Sequence, residues 1–155
     1  MVFSPPHCKK ELIYKLIIIY NKNMETLFTP IIFGALAYII PTFTLAYFWH
    51  LKWFHSLYKK WEYFGEPSPP FGLFSIAVQG TVLSVLYALA PIAHDSIIAA
   101  LGTIGLLALL HWSIHVLAAM AKNGKTRNWY YFGFETLYLV IQFGIFAVLI
   151  SAIVY

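Results

Sequence analysis

Residues 131–154 read YFGFETLYLVIQFGIFAVLISAIV. Glu135 is the sole formal charge in this run and Gln142 the sole side-chain amide. A helix needs roughly 20 mostly apolar residues to cross about 30 Å of hydrocarbon, and this run is long enough. Backbone N–H and C=O groups in lipid must bond within their own segment, so a crossing run of this kind is helical. Strict apolar/polar alternation, the mark of a membrane barrel strand, is absent.

Three further runs upstream have the same character. They cover residues 96–121, 71–90 and 27–48, the last with Pro30 and Pro41 inside it. Pro69 and Pro70 precede the 71–90 run and Pro91 follows it. The connection over 90–95 is a tight turn, in which Asp95 is placed to cap the next helix. Residues 122–129 form a loop rich in Lys, Asn, Gly and Arg. Short links favour antiparallel neighbours, so the expected fold is all-α: an integral membrane four-helix up-down bundle. Composition agrees. The chain is 61% hydrophobic, 19% aromatic and 10% charged, with mean hydropathy +0.74. A soluble domain is about 45–50% apolar and about 25% charged, so this chain could not cover a water-facing surface with polar groups.

Between the first two spans, Trp53, Phe54, Leu57, Tyr58, Trp61 and Phe64 recur at helical spacing among Lys52, His55, Ser56, Lys59, Lys60 and Glu62. That pattern predicts a short interfacial amphipathic helix after the first span, anchored on one leaflet and ended by Gly65-Glu-Pro-Ser-Pro-Pro. The five tryptophans (49, 53, 61, 112 and 129) map mostly to the same level, as an interfacial belt does.

Orientation follows from the basic residues. Lys52, Lys59 and Lys60 fall in one loop, and Lys122, Lys125 and Arg127 in another on the same side. The 90–95 turn and the C-terminus hold none. The positive-inside rule then puts both basic loops in the cytoplasm and both termini outside, in a bacterial inner (plasma) membrane. Lys9, Lys10, Lys15 and Lys22 disagree. Either residues 1–23 are a non-native extension and Met24 is the true start, or Glu11–Tyr20 is a short interfacial helix. No small-residue cleavage pattern marks a signal peptide. Residues 24–155 are then a single four-span membrane domain.

The expected packing faces are small residues: Ala77, Gly80, Ser84 and Ala88; Ala99, Gly102, Gly105 and Ala108; Gly144, Ala147 and Ser151. Ionisable and amide groups inside a span are costly and are candidate functional residues by default. At about 1.5 Å per residue, His50, His115 and Glu135 fall in one layer near the basic end. His111 lies one turn deeper on the same face as His115, level with Gln79 and Gln142. His50, Gln79, His111, His115, Glu135 and Gln142 thus form the candidate intramembrane polar cluster.

Four uses suit such a cluster. It can crosslink helices by hydrogen bonds alone. His50 with His111 or His115 suits the axial positions of a b-type haem. His111, His115 and Glu135 suit a transition metal. Histidine and a desolvated carboxylate also suit a proton or solute relay. His50 and His55 otherwise read as interfacial side chains. The lone cysteine, Cys8, excludes an intramolecular disulfide and a cysteine-based zinc site. No phosphate loop, catalytic triad or carboxylate pair appears, and too few solvated basic residues exist for nucleic acid. The sequence therefore points to a small polytopic protein whose partner is the lipid bilayer. It acts by packing, as a homo-oligomer or an accessory subunit of a larger complex. A haem- or metal-binding redox subunit and a small transporter or proton relay are the alternatives.

Overall fold

A computed structural model describes residues 28–63, 68–90 and 96–154. The N-terminal extension, the Glu11–Tyr20 helix, Phe64, the 65–67 break and the Asp95 cap lie outside those residues. The described residues are helical, with no strand among them. Four helices are long and apolar enough to cross a membrane, so the chain is a multi-pass membrane protein. In chain order they are α1 (Phe28–Trp53), α3 (Pro69–Leu89), α4 (Ile97–Lys122) and α5 (Trp129–Val154). The short α2 (His55–Lys60) lies between α1 and α3.

Local chemistry sets the ends. Pro69 and Pro70 occupy the first turn of α3, where their missing N–H groups cost nothing. Ser96 caps α4 by accepting from the Ala99 N–H at 3.2 Å. Asn128 caps α5 in the same way, with Tyr131 N–H donating to its side-chain oxygen at 2.8 Å. At the end of α4, Arg127 donates to the carbonyls of Met120 and Ala121, each at 3.2 Å, placing a cation on the negative end of the helix.

Among the described residues two segments depart from α-helical winding. The last seven residues of α1, Tyr47–Trp53, form a π-helix, and so do Ser113–Leu117 within α4. Such turns hold an extra residue and shift the phase of the helix beyond them. α1 therefore runs five residues beyond the expected boundary at 48. It stops at Phe54, and α2 spans six residues rather than the twelve that the aromatic spacing suggested. Its large apolar residues also turn inward. Tyr58 is fully buried and Trp61 nearly so, packed edge-on against each other and, for Trp61, against Tyr131 of α5. Trp53 and Trp129 are exposed, as an interfacial belt requires, whereas Trp49 and Trp61 belong to the core.

α5 is the most buried of the four spans and forms the hub of the packing. α1, α3 and α5 meet where glycine allows it. A Cβ at Gly80 would lie 2.9 Å from Ile39, 3.1 Å from Tyr38 and 3.2 Å from the Ala35 carbonyl oxygen. One at Gly34 would meet Ile150 at 2.7 Å and the Ser84 hydroxyl at 2.9 Å. Sequence spacing placed Gly80, Ser84, Ala147 and Ser151 on packing faces and missed Gly34. Gly102, Gly105 and Gly144 have open space at the Cβ position, so these three glycines make no close approach to another element among the described residues.

Gly80→Val should therefore overpack the α1–α3 contact and cost about 1–3 kcal/mol. Gly102→Val should stay within about 0.5 kcal/mol of the parent. Thermal unfolding of both variants in detergent, followed by near-UV circular dichroism, checks the contrast.

Candidate functional site

Glu135 sits less than two turns into α5, with no solvent exposure. An unpaired carboxylate in that setting would be costly by several kcal/mol. Three other elements send polar atoms to it. Tyr58 of α2 donates its hydroxyl to Oε1. His115 of α4 places Nε2 at 2.9 Å from Oε2. His50 of α1 places Nε2 at 3.6 Å from Oε1, an ion-pair rather than a hydrogen-bond distance. The network continues outward. Trp49 Nε1–H donates to the Tyr58 oxygen at 2.9 Å, and the Tyr63 oxygen lies 2.9 Å from His115 Nε2.

His50 Nδ1 lies 3.1 Å from the Ala46 carbonyl oxygen. A carbonyl only accepts, so Nδ1 carries a hydrogen. The opposite nitrogen, Nε2, faces a carboxylate oxygen. Two bare lone pairs in that position repel, so the contact is favourable when a proton resides between them. His115 Nε2 has an analogous choice: it donates to Glu135, or it accepts from Tyr63 while the carboxyl holds the proton.

The chain reaches this arrangement through unusual local structure. Each histidine lies in one of the two π-helical segments, and such segments recur at functional sites. Tyr63 enters from the linker after α2. There the Tyr63 N–H bonds the Tyr58 carbonyl at 3.2 Å and the Glu62 N–H bonds the Lys59 carbonyl at 3.1 Å. This is a Schellman cap, with Glu62 at the left-handed position (φ 49°) where glycine is usual. A non-glycine residue there costs on the order of 1–2 kcal/mol. Lys125 pairs with the Glu62 carboxylate, and Asn123 Nδ2 donates to the Trp61 carbonyl at 3.2 Å. The α4–α5 loop thus pins the cap that aims Tyr63 inward.

A cavity of about 510 Å³ opens beside the network, between α1 and α3, with α4 and α5 behind it. His50, His115 and Tyr63 line it and also join the Glu135 network. Deeper in, a second polar chain crosses the spans. Gln142 donates to the Tyr38 hydroxyl, Tyr38 donates to Gln79 Oε1 at 3.1 Å, and Gln79 Nε2 donates to Ser75 at 3.1 Å. His111 lines the cavity too, its ring 5.6 Å from that of His115 and nearly parallel to it.

The six expected cluster residues thus fall into two linked groups: His50, His115 and Glu135 near the basic end, and Gln79 and Gln142 deeper, with His111 between. His50 is buried rather than interfacial, because the π-turn rotates it inward among the rings of Tyr58, Tyr63 and Tyr138. His55 is exposed. The Nε2 atoms of His50 and His115 both point at one carboxylate, which turns them away from the shared axial positions of a haem. Among the described residues no three His, Cys, Asp or Glu side chains converge to hold a metal. Sequence reasoning missed Tyr38, Tyr58 and Tyr63, whose hydroxyls complete both networks. Their signal was present: tyrosine at a buried helical position needs a partner for its O–H.

Removing the carboxylate should orphan three polar groups. Glu135→Ala is expected to lower stability by about 3–5 kcal/mol in detergent unfolding, and Glu135→Gln, which keeps an acceptor, by clearly less. A second expectation concerns alkali. Burial, and then the Glu135 carboxylate, raise the Tyr58 and Tyr63 hydroxyls above the ordinary tyrosine range near 10. The unfolded chain releases those protons first. The stabilisation is whole below about pH 10 and declines as pH climbs past it. Tyr58→Phe should shallow that decline in a pH-resolved unfolding series.

Comparison with protein-family models, curated proteins and solved structures finds no match to this chain.

Proposed function

We propose that the protein binds a small molecule inside the membrane and exchanges protons with it through the His50–His115–Glu135 network. The observation that supports this most is the 510 Å³ cavity, which falls within the usual range of ligand sites. His50, His115 and Tyr63 connect its wall directly to a fully buried carboxylate. The space opens to the outside of the bundle, and the histidine, tyrosine and glutamine side chains on its wall favour a polar ligand over an apolar partner helix as its occupant. A network that only crosslinked helices would not need three of its members on a cavity wall. In this reading the protein lies in a bacterial inner membrane. Its basic end, with Lys59, Lys60, Lys122, Lys125 and Arg127, faces the cytoplasm, and Glu135 takes or supplies the proton from that side.

Gly72 provides the test. It lines the cavity and has nothing within 4 Å of its Cβ position, so Gly72→Phe fills the space without straining the backbone. Both proteins are to be extracted into native lipid discs and their small-molecule content compared by mass spectrometry. A species other than bulk phospholipid should be enriched with the wild type and lost with Gly72→Phe. Identical extracts from two well-folded proteins would refute the proposal.

A further inference from the structure

We propose that the cavity ligand is a neutral, lipid-soluble ring compound with two opposed carbonyl oxygens, the chemistry of an isoprenoid quinone. This rests on the cavity being a ligand site, as proposed above, and adds the class of ligand.

Charge decides first. Among the described residues the wall holds no Lys, Arg, Asp or Glu side chain; its polar members are Thr, Ser, Gln, Tyr and His. Glu135 stands behind His50 and His115 rather than on the wall. A phosphate or carboxylate ligand would find no fixed cation there, and an ammonium ligand no fixed anion. A phospholipid headgroup is therefore a poor occupant, and a neutral molecule is favoured.

Access decides second. The wall includes Phe71, which is 77% exposed, and Tyr47, also exposed. Both lie on membrane-spanning helices, so their exposed surfaces meet lipid. A ligand arrives sideways from the bilayer and leaves an apolar tail between these two rings.

Shape and hydrogen bonding decide third. Phe43, Tyr47, Phe71 and Tyr138 give flat aromatic walls suited to a planar ring. Donors come from two sides. On α3, Ser75 and Gln79 lie one turn apart, and Ser75, having accepted from Gln79, keeps its own O–H to donate. On α4, His111 makes no hydrogen bond among the described residues, so a ring nitrogen is left for a ligand. A ring with acceptors at both ends meets both sets. A sterol, with a single hydroxyl, would satisfy one. Next to the ring, Tyr63 is hydrogen-bonded to His115 and His115 to Glu135, which fixes the polar side of the wall that the ring would face.

The test uses decylubiquinone added to the full chain in phosphatidylcholine nanodiscs, with tryptophan quenching as the signal and empty nanodiscs plus free tryptophan octyl ester as the partition control. Wild type should show saturable quenching above the linear partition background. Gly72→Phe should leave only the linear part. Gln79→Leu and His111→Leu should each weaken the saturable part by about tenfold, the loss of one hydrogen bond, with unfolding temperatures confirming that they fold. Purely linear quenching in the wild type, or saturation unchanged in all three variants, overturns the quinone assignment. The two proposals separate cleanly. A native ligand that Gly72→Phe excludes, together with linear quenching by decylubiquinone, sinks the quinone class and leaves the cavity reading intact; identical native extracts sink both.

Discussion

The membrane domain is organised around a carboxylate that has no access to water. Lipid offers Glu135 nothing, so its partners must come from the protein, and they come from α1, α2 and α4 at once. That requirement explains features which otherwise look unrelated. α2 must turn Tyr58 inward, because its hydroxyl has to reach the carboxyl. The linker must reverse at Glu62, because Tyr63 has to reach His115. The α4–α5 loop must grip that reversal through Asn123 and Lys125. A single buried charge thus dictates the conformation of the chain at the basic end.

Composition made the spans legible. Runs of this length and apolarity admit one structure in lipid, and the helices begin and end within a few residues of where hydropathy places them, α1 excepted. Hydropathy carries no information on winding, and the π-turn of Tyr47–Trp53 lets α1 continue past Phe48 to Trp53. The same blindness applied to His50. Read with 3.6 residues per turn at a helix end it looked interfacial, yet the extra residue of the π-turn swings it into the core.

The candidate site was partly legible. Depth alone set His50, His115 and Glu135 in one layer, because rise per residue is nearly constant. Depth cannot supply which side chains share a hydrogen bond. The aromatic hydroxyls of Tyr38, Tyr58 and Tyr63 were hidden because tyrosine near a membrane surface is normally credited to an interfacial belt. Tyr58 and Trp61 have the spacing of lipid-facing residues, and only the position of Phe54, where the helix breaks, turns them toward α5. Small residues misled in the opposite direction. Gly102 and Gly105 look like a contact stripe, while the close approach is made at Gly34 and Gly80.

The two π-turns also set how this chain tolerates changes in length. Each stores one residue beyond the α-helical count, and an α-helix advances roughly 100° per residue. Deleting a single residue within 47–53 would remove the stored residue and let α1 relax to ordinary winding with everything after it near its present phase, so that Tyr58 keeps its place at the carboxyl. Deletion in 113–117 would do the same to the end of α4 and the loop after it. Within regular α-helix there is no stored residue to give up, and the same deletion turns everything beyond it by about that angle. The two π-turns are therefore the places where these spans can shed a residue without moving the polar network they carry.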